Sequence, residues 1–262
     1  MPTYALLGAT GSTGSAILRC LLAQPPRDLT LHIFVRSKSK LLEKFPELES
    51  TTAFIVEIIE GTPNDPSATQ ECLKDVDVVM ACIGTNYSHP GISLIHDTAT
   101  SILAALEHHQ NTKGPSYIPP TVIQLRSASL NPALSATAPW LAHNMATFCF
   151  RYVYEDLDRA CKLFSSAATK GLLHSAIVID PPSIHDPDGT TPTGYRLLVD
   201  DDAKQEPALS YADLGAAFCE VAVRREEFAG KAVGVSATGH VNETWGNLFG
   251  YIVRGMKSRV WG

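Results

Sequence analysis

Nowhere in its 262 residues does the chain hold a run of about 18 apolar residues, the length a membrane-spanning helix needs. The chain also enters an apolar strand pattern at Tyr4, with no charged flank, apolar stretch and cleavage site ahead of it. No membrane partner is expected, and the expected location is cytoplasmic. Cysteine is sparse and unpaired in pattern: Cys20, Cys72, Cys82, Cys149, Cys161 and Cys219 form no Cys-X-X-Cys spacing and fall mostly in apolar contexts. Buried thiols are expected, with neither a disulfide framework nor a metal site. Positive charge is also scarce. The chain has 21 Lys and Arg against 27 Asp and Glu, a net charge of -6, and short basic clusters at Arg36 to Lys40 and Arg224-Arg225. Nucleic acid is therefore not an expected partner, and a small-molecule substrate is. Internal repeats and long linkers are missing too, and a chain of this size can bury about 70–75% of its unfolded surface. One domain over 1–262 is expected.

What is present begins at once. Tyr4 to Leu7 reads as an apolar strand, and Gly8-Ala9-Thr10-Gly11-Ser12-Thr13-Gly14 follows it and opens an apolar helix over Ser12 to Ala23. Glycines let the backbone turn sharply and approach a pyrophosphate, while the free N–H groups and positive end of the helix attract its charge. Gly8 makes the turn, Gly11 clears the phosphates and Gly14 lets helix pack on strand, with Thr10, Ser12 and Thr13 completing the dinucleotide set. A glycine-rich structural turn is the competing reading, and the strand before and helix after argue against it.

Strand and helix patterns then alternate: strands at Leu29 to Val35, Ala53 to Glu60, Asp77 to Ile83, Thr121 to Leu125 and His174 to Ile179, helices at Ser67 to Leu73, Ile92 to His109 and Met145 to Ala168. Such alternation predicts an α/β, Rossmann-like, doubly wound and mainly parallel sheet with its ligand crevice at the strand C-terminal ends. That places Cys82 and Ile83, at the end of the fourth strand, Gly84, just after it, and Pro181, after the sixth, with the cofactor residues. Asn131 to Asn144 and Ser183 to Pro192 read as loops. Ser210 is the expected N-cap of a helix running to about Arg225, Lys231 to Val235 a last strand, and Asn242 to Arg259 a terminal helix. Residues from about 183 onward form the expected substrate-covering portion.

Cofactor choice is argued at the end of the second strand, where an acid would bind ribose hydroxyls and a cation a 2′-phosphate. Here stand Arg36-Ser37-Lys38-Ser39-Lys40. Arg36, Ser37 and Lys40 are assigned to the 2′-phosphate, and NADP(H) is the expected cofactor; a solubilising surface loop is the plainer reading.

Three segments carry a family resemblance: Gly8 to Gly14, Asp77 to Gly84, and Ser210-Tyr211-Ala212-Asp213-Leu214-Gly215-Ala216-Ala217-Phe218. With them the chain resembles the atypical short-chain dehydrogenase/reductases, in particular the NmrA-like and averufin-oxidase-like group. The resemblance implies an NADP(H)-dependent oxidoreductase acting on a bulky apolar metabolite, polyketide- or alkaloid-derived, of fungal secondary metabolism. It also implies a Ser at the end of the fifth strand and a Tyr followed four residues later by Lys. Ser127 fits. Tyr152 and Tyr154 are the candidate tyrosines, but Asp156 and Asp158 stand where Lys is expected. Arg126 is a substitute, as a cation for a developing oxyanion, and Asp156 as a base or as a partner that orients it. The plainer alternative for Tyr152, Tyr154, Asp156 and Asp158 is an ordinary amphipathic helix. Asp180, where relatives often have Arg before Pro, is a second expected partner of Arg126. Trp140 and Tyr87 are candidate apolar walls, and His89 and His143 are weaker acid/base candidates. Two other functions stay open: a redox-neutral cyclase or isomerase using NADP as a structural or electrostatic element, and a non-catalytic NmrA-like redox sensor. The oligomeric state is left open.

Overall fold

Tyr4 and Leu6 of β1 (Thr3–Leu7) enter one apolar cluster and Ala5 and Leu7 the other, so this strand is buried on both faces. That two-sided burial is why the strands read as continuous apolar runs and not as alternating ones. The computed structural model describes residues 1–138, 140–186, 189–199, 204–242 and 256. After β1 come α1 (Ser12–Ala23), β2 (Thr30–Val35), α2 (Lys38–Lys44), β3 (Ile55–Glu60), α3 (Pro66–Cys72) and β4 (Val78–Ala81). The middle of the chain forms α4 (Leu94–Lys113), β5 (Thr121–Leu125), α5 (Pro132–Thr137), α6 (Trp140–Cys149), α7 (Arg151–Thr169) and β6 (Ser175–Asp180). Then follow β7 (Ser183–His185), β8 (Tyr195–Leu198), β9 (Ala208–Ser210), α8 (Tyr211–Val223) and β10 (Ala232–Ala237).

The main sheet runs β3-β2-β1-β4-β5-β6-β10-β8, with every neighbour parallel except the β10–β8 pair. Ala5 faces His32 of β2 on one side and Val79 of β4 on the other. Strand order reverses between β1 and β4, which opens a crevice above their C-terminal ends. This is the expected Rossmann-like α/β fold. Ile17, Leu18 and Leu21 of α1 and Leu214, Phe218 and Val221 of α8 cover one face. Ile95, Ile102 and Leu106 of α4, with Val153, Leu157 and Phe164 of α7, cover the other. No helix among the described residues is long and apolar enough to cross a membrane.

Several boundaries differ from the sequence expectation, each for a local reason. Asn131 to Asn144 is not a loop: Asn131 accepts N–H bonds from Ala133 and Leu134 and starts α5, and α6 follows. The single helix expected over Met145 to Ala168 is broken at Phe150, whose backbone leaves the helical region between α6 and α7. The basic segment after β2 turns into α2, with Ser37 accepting the Lys40 N–H. Ser183 to His185 is strand β7, paired in parallel with β9 in a separate two-stranded sheet; only a partner distant in sequence makes it a strand. Of the Asn242 to Arg259 helix only Asn242 and Met256 are among the described residues, and Pro187 and Asp188 of the substrate-covering segment also lie outside them.

Candidate active site

The turn between β1 and α1 is built on glycine by steric necessity. Gly8 has φ +93°, and a Cβ there would sit 2.9 Å from the Cys82 carbonyl carbon and oxygen; one on Gly14 would sit 2.2 Å from the Gly8 oxygen. Gly11 donates its N–H to the Gly8 oxygen at 2.9 Å and accepts from the Ser15 N–H at 2.8 Å, which closes the turn into the helix. No side chain among the described residues caps α1. Its first N–H groups, in Ser12, Thr13 and Gly14, and its dipole are thus left for an anion. These observations fit a dinucleotide pyrophosphate.

Thr10 is exposed, Ser12 half-buried and Thr13 buried at the helix start. Cys82 donates its N–H to the Leu7 oxygen at 3.1 Å, holding the segment after β4 beside the turn, with Ile83 half-buried and Gly84 exposed. Burial pushes the Cys82 thiol far up, so it stays a neutral wall atom. Pro181 accepts the Ala128 N–H at 3.0 Å, tying the β5 and β6 ends together. Arg36 and Lys40 are exposed at the end of β2 and the start of α2. Glu60, at the end of β3, accepts the Lys38 N–H at 2.6 Å. The sequence reading missed Lys44: its ammonium reaches back from the last turn of α2 to the Ser15 hydroxyl at 2.7 Å and the Thr10 carbonyl at 3.4 Å. It therefore places positive charge against the glycine turn. No linear pattern marks it, because the contact spans 29 to 34 residues.

Of the two tyrosines the fold chooses one. The Ser127 hydroxyl donates to the Tyr154 phenol oxygen at 3.3 Å, joining the end of β5 to the first turn of α7. Tyr152, half-buried like Tyr154 against the apolar cluster under α4, lines an opening of about 470 Å³ with Ile92 and Arg159. One turn past Tyr154 stands Asp158, its carboxylate 2.5 Å from the Lys162 ammonium. No lysine occupies that position.

Arg126 and Asp156 are both engaged. Arg126 donates from Nε to Asp180 Oδ1 at 2.7 Å and from Nη2 to Oδ2 at 2.5 Å, and Asn131 adds a bond to Oδ2 at 2.8 Å. The pairing with Asp180 expected from sequence is present. The free cation expected for an oxyanion is not, because the fully buried Asp180 already balances its charge. Burial works against the guanidinium charge, but the Asp180 bond and field outweigh it and raise the Arg126 pKa. Asp156 is corrected more sharply. It is fully buried, accepts the N–H groups of Ile95 at 2.8 Å and His96 at 3.3 Å, and is met by Arg159 at 3.1 Å. It caps the start of α4 from α7, and its partner is Arg159, not Arg126.

The remaining candidates lie at the rim: Trp140 is 77% exposed on α6 and Tyr87 54% exposed after β4. His89 Nδ1 meets the Pro90 carbonyl at 3.0 Å, and His143 is half-buried on α6. Gln205 was not foreseen: its amide donates to the carbonyls of Asp180 at 2.8 Å and Val235 at 2.9 Å, pinning the segment before β9 onto the sheet.

Residues 8–224 match the model of a family described as NAD(P)H-binding. The chain belongs to that family. Averufin oxidase A of Dothistroma septosporum is 52% identical, covering 99% of this chain and 92% of that one. Averufin oxidase stcO of Emericella nidulans is 45% identical over 97% of this chain and 89% of its own length. A more distant relative, the oxidoreductase AgnL4 of Paecilomyces divaricatus, is 34% identical, covering 91% and 86%. Among solved structures, a short-chain dehydrogenase/reductase from Veillonella parvula in complex with NADP superposes with a TM-score of 0.64 at 16% identity, covering 91% of this chain and 95% of that one. Family and fold agree, and the protein is an NAD(P)-binding oxidoreductase.

Proposed function

We propose that the protein is a cytoplasmic NADP(H)-dependent oxidoreductase that acts on averufin or a similarly bulky, largely apolar polyketide-type metabolite. The observation that carries this reading is the Ser127–Tyr154 hydroxyl pair at 3.3 Å, set on the same C-terminal sheet edge as the glycine turn. The averufin oxidases at 45% and 52% identity support the substrate class.

Gly8, Gly11 and Gly14 with the α1 N-terminus would hold the pyrophosphate, and Arg36, Ser37 and Lys40, with Lys44, would hold the 2′-phosphate. When bound, the nicotinamide supplies or accepts hydride. The protein contributes a proton-handling hydroxyl: Tyr154 sits against the reacting substrate oxygen, and Ser127 orients the phenol. The Arg126–Asp180 pair, with Asn131, fixes the backbone on both sides of Ser127. Trp140 and Tyr87 offer apolar surface to a flat ring system.

A second reading rests on Asp158. An acid one turn after Tyr154, with its salt bridge to Lys162 at 2.5 Å, brings no cation to the phenol. This favours chemistry without net hydride transfer, a cyclisation or isomerisation with NADP as an electrostatic element. The test is NADPH absorbance during turnover of averufin. Change in step with product supports the oxidoreductase reading; product without change supports the redox-neutral one. Tight NADPH binding with no product from averufin or its analogues overturns both and leaves a dinucleotide sensor.

A further inference from the structure

The sheet face under α7 is not filled evenly. On β5, Val122, Gln124 and Arg126 share that face by alternation, and on β6 Ala176, Val178 and Asp180 do the same, with Gln124 beside Val178. The matching positions on β10 are Ala232, beside Val178, and Gly234, beside Asp180. Over Gly234 the Leu134 side chain of α5 takes up the room, since a Cβ there would lie 2.9 Å from its Cδ1. Over Ala176 and Ala232 the small side chains leave a cavity of about 280 Å³ between the sheet and α7. None of its lining residues belongs to the set assigned to the dinucleotide.

The lining sorts by chemistry. Val122, Phe164, Ala176 and Val178 make it apolar inside, and buried Gln124, whose amide nitrogen donates to the Leu125 carbonyl at 2.6 Å, gives that interior one polar point. Three cations, Arg126, Lys162 and Lys231, stand against one acid, Asp158. The Arg126 charge is already balanced by Asp180, so the positive charge on offer is that of the two lysines. Both are exposed, which puts them at the mouth. The Lys162–Asp158 pair lies on the helix surface, where such a pair is worth at most about 1 kcal/mol and is readily exchanged for another anion. Lys231 makes no salt bridge among the described residues; Glu227, which feels its charge, is bonded to Arg224.

We propose that this cavity is a second binding site, separate from the dinucleotide crevice, for a small organic acid. A single ring or short alkyl chain lies against Val122, Phe164, Ala176 and Val178, and its carboxylate lies between the Lys162 and Lys231 ammonium groups. The size fits: a cavity of about 150 Å³ takes a benzene ring, so this one takes a ring with an acid side chain. An apolar lining with a few placed polar groups is the usual make-up of a small-molecule site.

The test is calorimetric titration of the full-length protein, in the presence of NADPH, with 3-phenylpropionate and with its neutral amide. The acid is expected to bind once per chain and the amide about 10-fold more weakly, the loss of one charge-assisted contact. Cys161 lines the cavity and reports occupancy: the acid should slow its labelling by N-ethylmaleimide in peptide mapping. Burial pushes that thiol up to about 11, so labelling is run at alkaline pH with and without the acid. Lys231→Glu should weaken the acid about 10-fold and leave the amide unchanged. Ala232→Leu, which fills the cavity, should remove both while NADPH still binds; should it fail to fold, the exposed Lys231→Glu decides. Acid and amide binding equally, acid binding unchanged by these variants, Cys161 labelling unaffected by the acid, or no binding of the acid at millimolar concentration would each overturn the proposal.

Discussion

Tyr152 and Tyr154 are two residues apart on one helix, which turns their side chains about 200° from each other, so both cannot face one substrate. It is Tyr154 that carries the bond to Ser127. Tyr154→Phe is expected to lower kcat by about 10²- to 10⁴-fold, the range for losing a positioned proton donor, with NADPH affinity unchanged. Tyr152→Phe should leave kcat within a few-fold; steady-state kinetics on averufin compare the two, and equal losses would remove Tyr154 from its role. At the other end of the crevice, Arg36→Glu reverses a charge beside the proposed 2′-phosphate site. It should weaken NADPH binding far more than NADH binding in a fluorescence titration, and equal weakening would take Arg36 out of that site. The glycine turn and the basic segment opening at Arg36 could be located in the sequence because each follows directly on an apolar strand, whereas Ser127 was placed by the family resemblance. Lys44 could not be located, since its role depends on α2 folding back over the turn.

At the scale of elements, helix ends explain residues whose types suggested chemistry. Ser210 is the N-cap read from sequence, and Asp213 completes it: the Asp213 N–H donates to the Ser210 hydroxyl at 3.0 Å, and that hydroxyl donates to the Asp213 carboxylate at 2.6 Å. A local cap is visible in sequence because both partners lie within one turn. Asp156 does the same work for α4 from 61 residues away in sequence, on a neighbouring helix. No spacing could separate that from a catalytic role. Asp156→Ala strands two backbone N–H groups and the Arg159 bond, and should cost about 2–3 kcal/mol in urea unfolding. Asp156→Asn keeps one acceptor and should cost less. A loss of activity without loss of stability in either variant would restore Asp156 to the chemistry.

The whole molecule is tied across its sheet by Asp180. Its carboxylate takes Arg126 and Asn131, and its carbonyl takes Gln205, so the ends of β5 and β6, the start of α5 and the segment before β9 meet at one residue. Arg126→Ala leaves that carboxylate buried and uncompensated, an expected loss of about 3–5 kcal/mol by denaturant unfolding, whereas replacing both partners with apolar residues of similar volume should recover most of it. If the single and double variants were equally unstable, the pair would not be the source. Pattern along the chain, apolar runs broken by glycine and alternating with helical spacing, was enough for the parallel α/β sheet and the dinucleotide turn, because burial periodicity and backbone freedom are local properties. Which tyrosine faces Ser127 and which acid caps α4 came only with folding, because each depends on partners tens of residues apart that the sheet order brings within hydrogen-bond reach.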